Sequence, residues 1–96
     1  MIKKNEQEKI IAIIKLFVPQ ATIYMFGSHA RGDATATSDL DIALNQGSQI
    51  AHEQLGELRS VLDGLWISYK IDLVDFQRVS ETLQQNIMKK HIIWKN

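Results

Sequence analysis

Six consecutive residues near the middle of the chain alternate without a break. Asp39, Asp41 and Ala43 fall on one side of an extended strand, and Leu40, Ile42 and Leu44 fall on the other. A strand of this pattern buries one face only, so the chain must build a sheet whose apolar side is covered by other elements. The same strand brings two carboxylates out on the opposite side, which taken alone is also what the wet face of an edge strand shows.

The flanking segments supply the cover. Ile10, Ile11, Ile13, Ile14, Leu16 and Phe17 recur at helical spacing over residues 3–17. Pro19 ends that helix, because the residue before a proline is pushed out of the helical region. Ala21 to Phe26 is rich in β-branched and aromatic residues and reads as a strand running into Gly27. Ser28 to Arg31 is one helical turn, and residues 32–38 form a small polar loop that includes Asp33. Asn45 to Ser48 reads as a turn in which Ser48 caps a helix carrying Ile50, Ala51, Leu55, Leu58, Val61 and Leu62 up to Gly64. Tyr69 to Phe76 alternates again, with Tyr69, Ile71 and Leu73 on one face and Lys70, Asp72 and Val74 on the other. Ser80 then caps a last helix with Leu83, Ile87, Met88, Ile92 and Ile93.

The expected order is αβαβαβα, an α/β (α+β) layer with a small sheet of three or four strands flanked by helices. Residues 27–38 are barely long enough for a crossover helix, so a mixed sheet is favoured over a parallel one. With 96 residues the chain has room for one core, and a single domain over 1–96 is expected. Trp66 and Trp94 read as partial-core residues rather than base-stacking platforms.

Composition removes several function classes. There is no cysteine, hence no disulfide, thiolate chemistry or Cys-type zinc site. His29, His52 and His91 show no paired metal-ligand spacing. Eleven basic and eleven acidic side chains cancel, which argues against direct nucleic-acid binding. That balance conceals a segregation: residues 33–75 hold eight acids against the two bases Arg59 and Lys70, so the ends are basic. Ile10 to Val18 is too short and too charged to span a membrane, and Val18-Pro19-Gln20-Ala21 does not supply the small-residue cleavage site of a signal peptide. No membrane association and a cytoplasmic location are expected.

The chemistry concentrates in two places. Gly27-Ser28, where a strand opens into a helical turn, offers backbone N–H groups and a hydroxyl to phosphate oxygens, and glycine allows close approach. Asp39 and Asp41 share a strand face with Cα atoms roughly 7 Å apart at a rise of about 3.4 Å per residue, so their oxygens can converge on one cation. Hard oxygen donors suit Mg²⁺ or Mn²⁺, and two such ions can hold both the attacking and the leaving oxygen of a phosphoryl displacement. Asp72 and Asp75 are the candidates for a third carboxylate. Strand parity assigns Asp72, on the polar face, and leaves Asp75 to the strand end or a loop. An unprotonated third acid could also serve as general base toward an attacking hydroxyl.

Gly27-Ser28-His29-Ala30-Arg31-Gly32, ten residues between Ser28 and Asp39, and then Asp39-Leu40-Asp41 match a Gly-Ser-x10-Asp-x-Asp signature. In this the chain resembles the DNA polymerase β-like nucleotidyltransferase superfamily. The fuller string, with Ser38-Asp39-Leu40-Asp41-Ile42 and Lys70-Ile71-Asp72-Leu73-Val74-Asp75, is similar to its minimal nucleotidyltransferase branch, and the resemblance covers most of the chain. It implies a mixed sheet flanked by helices, ATP as substrate with two Mg²⁺ ions (Mn²⁺ also possible), and transfer of a nucleoside monophosphate to an acceptor hydroxyl. Relatives of this size are often antitoxins paired with an all-helical HEPN-domain ribonuclease toxin, which they adenylylate on a tyrosine, as in type VII-like systems. The resemblance makes Gly27, Ser28, Arg31 and Ser38 nucleotide-binding and Asp39, Asp41 and Asp72 metal-binding and catalytic. It also implies a hetero-oligomer with the toxin; the chain has no Arg-x4-6-His string and is not the toxin half. Two alternatives stand beside this reading: neutralisation by binding alone, and nucleotidylation of a small molecule, for which 96 residues leave little room to shape an acceptor pocket.

Overall fold

The computed structural model describes residues 2–95. In chain order the elements are α1 (Lys4–Phe17), β1 (Thr22–Phe26), α2 (Ser28–Arg31), β2 (Leu40–Asn45), α3 (His52–Asp63), β3 (Ile71–Asp75), α4 (Glu81–Lys89) and β4 (Ile92–Lys95). The four strands form one sheet in the order β3-β2-β1-β4. Strand β1 runs antiparallel to both β2 and β4, while β2 and β3 are parallel, so the sheet is mixed as expected.

Three expectations change. The expected order αβαβαβα gains a final strand, because α4 stops at Lys89 and Ile92-Ile93 leave the helix to pair with β1. An open β1 edge would expose a row of unpaired N–H and C=O groups, and these β-branched residues cover it. Ser48 does not cap α3. The helix begins at His52 with Ala51 at its N-cap, and Ser48 instead accepts from Gln46 in a turn where Gly47 N–H donates to Asn45 Oδ1. Ile50 therefore precedes the helix, fully buried. Trp66 is not in the core: it is 99% exposed, because Leu65 and Ile67 on either side turn inward and alternation sends Trp66 out.

The core lies on one face of the sheet. Ile23, Met25, Leu40, Ile42, Leu44 and Leu73 pack with Ile10 and Ile14 of α1 and with Leu55, Leu58 and Leu62 of α3. Tyr24 alternates to the opposite face, where its ring meets Phe76 at 6.1 Å and His91 edge-on at 5.0 Å. Helix α4 closes that side, with Ile87 fully buried and Ser80 Oγ accepting from Leu83 N–H at 3.2 Å, the cap its sequence promised.

Two polar clamps hold the layers in place. Asp75 is buried and its carboxylate accepts from Ile50 N–H at 2.7 Å and Gln77 N–H at 3.0 Å, while Arg78 Nε lies 3.4 Å from it and Arg78 Nη2 donates to Ile50 O. Glu6, buried at the start of α1, accepts from Ser68 N–H at 3.2 Å and Ser68 Oγ at 2.9 Å. These bonds to the charged form hold its carboxyl below the ordinary glutamate value.

Candidate active site

The topology decides where the chemistry-bearing residues meet. Because β1 is antiparallel to β2 and β2 parallel to β3, the end of β1 and the beginnings of β2 and β3 share one end of the sheet. Phe26 pairs with Asp41, and Asp41 pairs with Asp72. Paired residues of adjacent strands point to the same face, so the two aspartates stand side by side there. Asp39 is exposed and sits one residue ahead of the ladder rather than inside it. Asp75, two residues past Leu73, turns to the core face and is committed to its clamp. The parity argument for Asp72 over Asp75 thus agrees with where the two side chains lie.

Gly27 occupies a backbone region that only glycine enters freely, φ 74° and ψ −152°. The reason is visible in its surroundings: a Cβ there would stand 2.1 Å from Asp41 Oδ2. Glycine lets the strand-to-helix turn close against the carboxylate, and Ser28 follows as the first residue of α2. Gly32, at φ 86°, ends the same short helix in the left-handed conformation.

The remaining residues expected at the site are nearby but engaged. Arg31 Nε lies 3.3 Å from Asp33 Oδ2 in an exposed pair. Ser38 Oγ accepts from Thr35 N–H at 2.9 Å and so closes the loop ahead of Asp39. His29 stands 3.5 Å from Ser38 O and edge-on to Tyr69, tying α2 to the approach to β3.

Asp41 carries the electrostatic signature of the cluster. Burial pushes its carboxyl above the ordinary range, Asp72 and Asp39 push it further, and His29 and Arg31 act in the opposite sense. Among the described residues no three His, Asp or Glu side chains stand converged as a ready metal cage. The donor set nevertheless fits a divalent cation. It consists of hard carboxylate oxygens whose mutual repulsion a cation would relieve, beside a glycine that leaves room at Asp41.

A cavity of about 360 Å³ continues the site on the Asp41 face, lined by Phe26, Gly27, Arg31, Leu83, Asn86 and Lys90. Asn86 of α4 and Lys90 at its C-cap were not read from sequence as site residues, because an exposed polar side chain on an amphipathic helix carries no signal until the helix is docked. A larger hollow of about 440 Å³ between α1 and β4, lined by Ile2, Met25 and Ile92 among others, touches none of the three aspartates.

A glycine–serine turn at the tip of β1 and aspartates on the next two strands of the sheet, β2 and β3, carried on a small mixed sheet between helices, is the arrangement of a nucleotidyltransferase. The chain belongs to the polymerase beta nucleotidyltransferase family, whose sequence profile matches residues 8–96. A Haemophilus influenzae protein bearing the name MntA is 32% identical over 95 residues, covering 96% of this chain and 81% of its own length. The protein adenylyltransferase MntA of Shewanella oneidensis is 33% identical over 92 residues, covering 91% of this chain and 63% of its own. Among solved structures, a toxin–antitoxin complex with AMP-PNP contains a chain 29% identical with a TM-score of 0.70, matched over 92% of this chain and 71% of that one. A tri-AMPylated Shewanella oneidensis HEPN toxin in complex with its MNT antitoxin matches at 26% identity and a TM-score of 0.66, over 95% and 70% of the two chains.

Proposed function

We propose that this nucleotidyltransferase is a metal-dependent protein adenylyltransferase and antitoxin. On this reading it transfers AMP from ATP to a tyrosine hydroxyl of a cognate HEPN-domain toxin in the cytoplasm. The observation that carries the reading is the row Phe26–Asp41–Asp72 with Gly27 closed against Asp41. The relatives named for adenylyl transfer and toxin–antitoxin assembly support the choice of nucleotide and partner.

Gly27 and Ser28 hold the triphosphate through backbone N–H groups and the serine hydroxyl, and Arg31 and Ser38 border it. Asp39, Asp41 and Asp72 would hold Mg²⁺, or Mn²⁺ in its place. When bound, the cation neutralises charge developing on the α-phosphate. Asp72 is the exposed carboxylate of the three that lies beside Asp41 on the neighbouring strand, and it takes the proton of the attacking hydroxyl. The hydroxyl oxygen bonds to the α-phosphorus as the bond to the bridging oxygen breaks and pyrophosphate leaves. The toxin supplies the acceptor and the remaining wall of the site, and Trp66, Ile92 and Ile93 offer exposed apolar surface for a partner.

The test is label transfer from α-labelled ATP to the co-purified toxin. Asp39→Asn combined with Asp41→Asn should abolish labelling while the complex still forms and the antitoxin keeps its fold. Full labelling by the double variant overturns the reading. Cells still protected by the unlabelling variant would make masking, not modification, the basis of neutralisation.

A further inference from the structure

The β ladder places two of the three aspartates and leaves the third to a loop. Asp41 and Asp72 pair across β2 and β3, whereas Asp39 is exposed and precedes Leu40, the first residue of β2. We infer that His29 positions Asp39 for the cation, its Nε2–H holding the Ser38 carbonyl while its ring rests against Tyr69. This rests on the proposed function, since it takes the three aspartates as the metal site.

Residues 35–38 form a turn closed on itself: Thr35 N–H donates to Ser38 Oγ at 2.9 Å, and Ser38 N–H donates to Thr35 O at 3.1 Å. These bonds shape the turn but do not fix where it sits. His29 links it to the body of the protein. The residue rides on α2, and its Nε2 lies 3.5 Å from the carbonyl oxygen of Ser38, directly ahead of Asp39. A carbonyl only accepts, so Nε2 carries the hydrogen. The same ring stands edge-on to Tyr69 with centroids 5.2 Å apart. Tyr69 leads into Lys70, whose carbonyl takes Leu40 N–H at 2.8 Å. His29 thus touches both segments that enter the site, one ahead of Asp39 and one ahead of Asp72.

The length of the contact sets the size of its effect. At 3.5 Å it stands at the long end of hydrogen bonding, so it steers Asp39 while the ladder and the core hold the fold. Electrostatics acts in the opposite sense and so separates two roles. Against burial and the neighbouring aspartates, which push the Asp41 carboxyl up, His29 acts as a positive charge. A positive charge repels a cation, so on that ground alone removing the imidazole tightens metal binding. Removing a residue that positions Asp39 weakens it. His29 acts through Ser38 and Asp39 and is a positioning residue rather than a catalytic one.

Mn²⁺ titrated into the full chain with a non-hydrolysable ATP analogue, followed by the electron paramagnetic resonance signal of the free ion, tests this. His29→Phe keeps a ring against Tyr69 but has no donor; it should weaken Mn²⁺ binding about fivefold while keeping the urea midpoint of the wild type. His29→Gln keeps an N–H donor and should bind Mn²⁺ within about twofold of the wild type. On an Asp39→Asn background, His29→Phe should cause no further loss, because both changes act through one carboxylate. Four results each overturn the positioning role while leaving the adenylyltransferase reading intact: Mn²⁺ binding by His29→Phe that is unchanged or tighter, an equal loss in His29→Gln, a further loss on the Asp39→Asn background, or a lowered urea midpoint for His29→Phe. Failure of the wild-type protein to bind Mn²⁺ overturns the metal site of the proposed function along with it.

Discussion

Gly27 and Gly32 bracket the same short helix at positive φ, yet a methyl group added at each meets different surroundings. At Gly32 a Cβ has nothing within 4 Å, so the cost of alanine is conformational alone, about 1–2 kcal/mol. At Gly27 the backbone angles lie in a region essentially reserved for glycine, and the added carbon would collide with Asp41 Oδ2. Gly27→Ala should therefore lose roughly 1–3 kcal/mol in urea denaturation and also displace the carboxylate, abolishing nucleotide binding. Gly32→Ala should bind nucleotide as the wild type does. If both variants bind equally well, the close approach at Asp41 is not what the glycine is for.

At the scale of elements, β3 shows how one strand serves two ends. Asp72 and Asp75 lie three residues apart and so face opposite sides: one stands beside Asp41, the other is buried where it grips Ile50 N–H and Arg78. Asp75→Ala strips the clamp that joins β3 to the entry of α3 and leaves the buried Ile50 N–H without its acceptor, while Arg78 keeps its bond to Ile50 O. A loss of about 1–3 kcal/mol is expected from a urea titration. A loss below about 1 kcal/mol would mean that solvent replaces the carboxylate. Alternation made β2 and β3 legible in the sequence, and with them the face on which Asp72 lies, because period two assigns faces without knowledge of the fold. What was not legible depended on a neighbour. Ile87, Met88, Ile92 and Ile93 satisfy a helical stripe as well as a helix followed by a strand, and only the open edge of β1 decides between them. Trp66 was misplaced for a similar reason, since Leu65 and Ile67 compete for the same core space. The edge of β3 is guarded by Arg59, whose Nη2 donates to Leu73 O at 2.9 Å, a pairing that no local pattern announces.

Across the whole molecule, the zero net charge is divided so that an acidic centre carries the site and basic ends flank it. Glu6 departs from that division: an acid near the basic N-terminus, it is bound to Ser68 across 62 residues of sequence. The contact ties α1 to the segment that feeds Tyr69 and Lys70 into β3, and Lys70 O in turn accepts from Leu40 N–H at the head of β2. Its pH dependence has a definite sign. The two Ser68 bonds hold the folded-state pKa of Glu6 below its ordinary value of 4.5, so the ionised carboxylate stabilises the folded chain above that value. The contribution is lost as the pH falls through the lower, folded-state pKa. Glu6→Gln keeps the shape but brings an amide N–H₂ toward two donors. Its urea midpoint should lie below that of the wild type at pH 7, and the gap should narrow as the pH is lowered past 4.5. A gap unchanged between pH 7 and the acid end would assign the stabilisation to packing of the side chain rather than to its charge.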